Sequence, residues 1–293
     1  MAAFEDRYYN SADGVRLHYR DYPGGDPDQA PILCLPGLTR NARDFEPVAD
    51  RFAGDWRVLA LDFRGRGLSD PDPQPANYLP PTYARDVLKL LDQLGIADAV
   101  FVGTSLGGLT TMILAAMEEE RIAGALINDI GPEVAPGGID RIRTYVGKQT
   151  RFADYAEAGR AFASRNGDVY PDWTGPEWER FARRCCREQD GVVELDYDMA
   201  IAEPFAQANE ATQPNLWPLL DALKGKPVTV LRGELSDLFD ADVADRMVAE
   251  LGEGAELVTV PHVGHAPSFD EPESIAAVER LLARVAQLAP VAP

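Results

Sequence analysis

The sequence predicts an α/β fold: a mostly parallel central sheet with helices on both faces, interrupted by an inserted helical lid. Two observations carry this expectation. Short, continuous apolar runs alternate with longer amphipathic stretches, the order expected of strands buried on both faces and of the helices that cover them. Between residues 131 and 226 that alternation stops, and helical stretches with scattered aromatics replace it. The chain has 293 residues. A single α/β core of roughly 200–250 residues is ordinary, so the length accommodates one core and an insertion.

Residues 15–22 alternate apolar and polar side chains and read as a strand, paired with 8–11 across the turn at Asp13-Gly14. Residues 31–35 and 57–62 are continuous apolar runs and read as buried strands, as do 99–102, 125–127, 227–231 and 256–260. Residues 82–94 carry Val87, Leu90, Leu91 and Leu94 at helical spacing, and Gly95 stops that helix as a C-cap. Residues 106–117 form a small-and-apolar helix suited to burial beneath a sheet. Helices at 242–251 and 273–288 complete the set, and Glu271-Pro272 marks the start of the last. The core is therefore expected over 1–130 and 227–293, with the lid over 131–226. The lid's Tyr145, Phe152, Tyr155, Phe162, Phe181 and Phe205, with Trp173, Trp178 and Trp217, are expected to form chiefly its own core. The proline-rich stretch 71–81 reads as a surface loop.

Composition narrows the function. Hydrophobic residues make up 45% of the chain, a globular share. The formal net charge of -20 argues against nucleic acid and anionic lipid as partners, because both need a basic surface. Cys34, Cys185 and Cys186 fit no zinc spacing and are expected to be buried free thiols. The N-terminus carries an early acidic pair and no signal-like apolar segment, and no uncharged run approaches the ~20 residues of a membrane span. A cytoplasmic location is the expectation.

Gly103-Thr104-Ser105-Leu106-Gly107, followed by Gly108, matches G-x-S-x-G between an expected buried strand and an expected helix. A sharp strand-to-helix turn forces the serine into a strained conformation, and glycines at 103 and 107 let strand and helix close around it. A serine hydroxyl needs a base. The chain has 3 histidines, His18, His262 and His265. His18 lies within an early strand. His262 and His265 both follow the last expected strand, where the base falls in the order serine, acid, histidine. His265, after a glycine in a loop, is favoured as the base. The orienting acid is expected at Asp237, after the strand at 227–231, with Glu234, Asp240 and Asp129 as competitors. Two amide donors are expected to bind an oxyanion: the N–H of Leu106 at the helix start, and that of Leu38, brought close by Gly37.

These residues resemble the α/β-hydrolase superfamily, in particular its lidded serine esterase-like members, over nearly the whole chain. The chain departs from the family where Pro36-Gly37 replaces a frequent His-Gly. Asp62 to Asp70 looks like a family loop that is generally structural. Gly264-His265-Ala266-Pro267 is similar to the family's histidine loop, and Gly233 to Asp237 to its acid loop with one residue more than the commonest spacing, which keeps Asp240 open. Haloalkane dehalogenases and epoxide hydrolases of this fold use a carboxylate at the turn, so Ser105 argues against both.

The expected activity is hydrolysis of a carboxylic ester or lactone with an apolar portion, through an acyl-enzyme on Ser105, with no metal or cofactor. The rivals are a C–C bond hydrolase of aromatic ring-fission products using the same triad, a ligand-binding module retaining the fold, and a scaffold protein, for which the sequence offers no interaction tail or repeat.

Overall fold

The structure, a computed structural model of the chain, describes residues 1–207 and 215–288; residues 208–214 of the expected lid lie outside the described residues. In chain order the elements are β1 (Glu5–Asn10), β2 (Arg16–Tyr22), β3 (Ile32–Leu35), α1 (Glu46–Phe52), β4 (Val58–Leu61), α2 (Pro80–Leu94), β5 (Ala99–Thr104), α3 (Leu106–Met117) and β6 (Ile122–Asn128). There follow α4 (Pro136–Arg143), β7 (Arg151–Phe152), α5 (Tyr155–Asn166), α6 (Gly175–Cys185), β8 (Cys186–Gln189), β9 (Val192–Leu195) and α7 (Ala202–Gln207). The chain then returns to β10 (Val228–Gly233), α8 (Ala241–Leu251), β11 (Ala255–Val260) and α9 (Pro272–Leu288).

The apolar runs become an 8-stranded sheet in the order β1-β2-β4-β3-β5-β6-β10-β11. β1 and β2 form the antiparallel hairpin read from the sequence, with Tyr8 opposite His18, and β2 is antiparallel to β4. From β4 to β11 every pairing is parallel. Successive side chains of a strand point to opposite faces. Leu33, Leu35, Leu59, Leu61 and Phe101 accordingly enter one buried cluster with Leu90 and Leu91 of α2 and Met112 of α3. Ile32, Cys34, Val58, Ala60 and Val102 enter another with Phe52 of α1 and Ala277, Val278 and Leu281 of α9. Both faces are covered, which is why these strands read as unbroken apolar runs. Each fully buried large aliphatic or aromatic side chain contributes about 1.5–3 kcal/mol.

Local signals place the helices. α2 begins with Pro80, whose missing N–H costs nothing in a first turn. It ends at Gly95 in the left-handed region (φ 66°), and the Ile96 amide donates back to Leu91 at 2.9 Å, closing a Schellman-type cap. The structure adds α1, only 7 residues long, and extends β6 back to Ile122.

The segment expected to be helical holds α4 to α7 and also a 3-stranded sheet, β7-β9-β8. Its strands are short, and β8 exposes all but its first residue, so they lack the buried run that marks a core strand. The hairpin of β8 and β9 turns on Asp190 and Gly191, both at positive φ. α5 packs on α6 through Phe162 and Phe181, whose ring centroids lie 5.4 Å apart, and Tyr170 stacks on Trp173 at 3.8 Å. Trp217 sits elsewhere, under the Arg246 guanidinium, while Leu220 and Leu223 join the core cluster beside α3. Polar bonds stitch the segment to the sheet's loops: Asn41 Nδ2 donates to Arg184 O at 2.9 Å, Arg43 pairs with Asp196 at 2.6 Å, and the Asp198 amide donates to Gly65 O at 2.7 Å. The cysteines are free and buried. No described helix is long and apolar enough to cross a membrane.

Candidate active site

Ser105 stands between β5 and α3 at φ 53° and ψ −114°, a conformation a side-chain-bearing residue holds only when its surroundings impose it. Those surroundings are close. A methyl on Gly107 would land on the Leu35 carbonyl at the end of β3, so the helix approaches the sheet only because that side chain is absent. The Ser105 amide donates to Asn128 O at 2.8 Å, tying the turn to the neighbouring strand.

Ser105 Oγ lies 2.9 Å from His265 Nε2, across 160 positions of sequence. The other ring nitrogen, Nδ1, is 2.8 Å from Asp129 Oδ2. With the carboxylate as acceptor, Nδ1 carries the proton and donates to Asp129, which leaves Nε2 to accept from the serine hydroxyl. His265 is 9% exposed and Asp129 is wholly buried. Asp129 is also at positive φ (55°), immediately after β6, and its carboxylate accepts from the Gly233 amide at 2.8 Å and from Ser236 Oγ at 2.6 Å.

The sequence reading favours Asp237 as the acid, but in the structure the carboxylate at His265 Nδ1 is that of Asp129. Asp237 faces Arg141, with Oδ2 2.6 Å from Nε and Oδ1 2.8 Å from Nη2, and that guanidinium holds its carboxyl below the usual range. The ends of β6 and β10 are neighbours in the sheet, so either can point an acid at the imidazole; here the bend at Asp129 does so. Of the other competitors, Glu234 accepts the His262 amide at 2.8 Å, and Asp240 is exposed ahead of α8. His262 itself is 68% exposed and faces Asp172. His18 is buried between Asp62 and Asp6, and Asp62 also accepts the Ala42 and Leu68 amides, a structural use of that loop.

Ser236 and Asn128 went unread in the sequence. Asn128 Nδ2 donates to Pro267 O at 2.9 Å and to Thr104 Oγ1 at 3.0 Å, joining the serine strand to the histidine loop. The apolar end of an expected strand had hidden it. The amides of Leu38 and Leu106 donate no hydrogen bond among the described residues, and Arg66 Nε donates to Leu38 O at 3.0 Å.

The pocket over Ser105 is walled by Leu38, Tyr145, Phe162, Tyr170 and Phe181, so aromatics of the segment between β6 and β10 serve both as packing and as lining. Cys185 shares the pocket, but burial pushes its thiol up to about 11, against the pull of Arg40, and it stays protonated at neutral pH. Among the described residues no cluster of His, Cys, Asp and Glu is arranged to hold a metal ion.

A largely parallel sheet with a serine at a strand-to-helix turn and an imidazole delivered from beyond the last strand defines a class, and the chain belongs to it: residues 32–278 match the alpha/beta hydrolase family. It is 53% identical to an alpha/beta hydrolase from Novosphingobium aromaticivorans of known structure, with a TM-score of 0.91 over 97% of this chain and 99% of that one. It is 35% identical to the 3-hydroxybutyrate-oligomer hydrolase of Cupriavidus necator, over 89% of this chain and 90% of the relative. A 2-(acetamidomethylene)succinate hydrolase from Mesorhizobium japonicum is 26% identical over 83% of this chain and 84% of its own.

Proposed function

We propose that the chain hydrolyses a carboxylic ester or lactone through an acyl-enzyme on Ser105. One observation carries this reading: a hydroxyl, an imidazole and a buried carboxylate in series, at 2.9 and 2.8 Å. Ser105 attacks the carbonyl while His265 Nε2 takes its proton, and Asp129 keeps the ring in the right tautomer and stabilises the imidazolium. The amides of Leu38 and Leu106 receive the developing oxyanion, with Arg66 fixing the Leu38 peptide from behind. His265 then protonates the leaving alkoxide. Water enters, His265 removes its proton, and the acyl–serine bond breaks to release the acid.

The segment over the sheet acts in this reading as a cap, its aromatic wall taking an apolar portion of the substrate. The relative named for 3-hydroxybutyrate oligomers, compounds joined by ester bonds and ending in a carboxylate, supports an ester as the scissile group. The test is turnover of p-nitrophenyl esters by the wild type and by Ser105→Ala. The variant is expected to lose activity by about 10⁴-fold or more. Equal rates would overturn the proposal.

A further inference from the structure

The pocket over Ser105 is rich in arginine although the protein as a whole is strongly acidic, and the arginines are not equivalent. Arg40 engages Asp44 through Nε and Nη2. Arg141 engages Asp237 at 2.6 and 2.8 Å, and Arg184 engages Asp270 at 2.7 and 3.0 Å. In each, the planar fork is filled by a carboxylate of the protein itself. Arg165 lines the same pocket and makes no hydrogen bond or ion pair among the described residues.

Its position in the last turn of α5 is favourable to a cation, but that effect asks only for charge near the helix end and would be met by a side chain directed anywhere. It does not account for an exposed arginine among the residues that line the same pocket as Ser105 and His265. Burial raises the Tyr197 phenol and the Arg165 charge is among the groups that oppose that rise, so the charge is felt at another lining residue. With a net charge of -20, the molecule's average field repels anions. A cation left unmatched at one point of the pocket reverses that field locally; its fork fits a carboxylate or a phosphate through two parallel bonds, and the relative named for 3-hydroxybutyrate oligomers favours the carboxylate.

We propose that Arg165 receives a free carboxylate carried by the substrate, so that the site selects half-acid esters, such as hydroxy-acid oligoesters, over neutral ones. This rests on the reading of Ser105 as an ester-cleaving nucleophile. The carboxylate belongs either to the alcohol portion, as in a linear hydroxy-acid dimer, or to the acyl portion, as in a monoester of a dicarboxylic acid.

Two matched pairs test it. The first is the linear dimer of 3-hydroxybutyrate against its terminal carboxamide. The second is the p-nitrophenyl monoester of glutaric acid against p-nitrophenyl pentanoate. In at least one pair the wild type is expected to favour the carboxylate by about tenfold or more in kcat/KM, the scale of a charged hydrogen bond in a partly exposed site. Arg165→Gln should bring that ratio to within about twofold, mainly through KM, and Arg165→Lys should restore part of it. The pair that responds identifies the portion bearing the charge. No preference in either pair, or a preference that survives Arg165→Gln, overturns the proposal. Absence of turnover of every ester would instead defeat the hydrolase reading. Binding then decides separately: calorimetric titration of Ser105→Ala with the dimer should show affinity lost on adding Arg165→Gln, and unchanged affinity overturns the carboxylate site.

Discussion

Asp129 devotes a fully buried carboxylate to the Gly233 amide, the Ser236 hydroxyl and the His265 ring. Asparagine at this position keeps the shape but offers an amide N–H where an acceptor is needed, favouring the wrong imidazole tautomer. Asp129→Asn is therefore expected to lower kcat by roughly 10³–10⁴-fold in ester turnover. Asp237→Asn should stay within about threefold, because a partly exposed ion pair with Arg141 contributes at most about 1 kcal/mol. Large losses in Asp237→Asn with small ones in Asp129→Asn would reverse the assignment. Ser105 and His265, which the structure brings to 2.9 Å, were singled out in the sequence for different reasons: the serine through its glycine setting, the histidine through scarcity and its place beyond the last strand. The carboxylate that meets the ring was not, since two adjacent strands each end in candidate carboxylates and the backbone bend at Asp129 is what brings its own to His265.

Among the elements, those buried on two sides were the readable ones. β3 and β4 have every residue buried and appear as apolar runs, and α2 carries both its periodicity and its stop signal. The three short strands β7 to β9 and the 7-residue α1 gave no such signal, because brief, half-exposed elements leave too few periods to recognise. The cap on α2 allows a direct test. A methyl on Gly95 would meet nothing within 4 Å, so Gly95→Ala adds no clash and probes only the left-handed backbone. It is expected to destabilise the protein by about 1 kcal/mol in equilibrium urea unfolding, with the m-value unchanged. A neutral or stabilising result would mean that this helix end does not depend on the glycine.

At the scale of the whole molecule, the groups of the site come from unequal surroundings. Ser105 and Asp129 follow β5 and β6, in the middle of the sheet, whereas His265 is carried on the loop after β11, the strand at the sheet's edge, which is more exposed than those at the centre. Edge strands open at lower free energy than central ones. In a denaturant series, ester turnover is therefore expected to disappear at a lower urea concentration than the far-ultraviolet circular dichroism of the helices; coincident midpoints would show that the edge and the centre melt together. On the proposed reading the imidazole doubles as a sentinel at the margin of the fold: damage that loosens only the last strand would silence the chemistry while most of the protein is still intact.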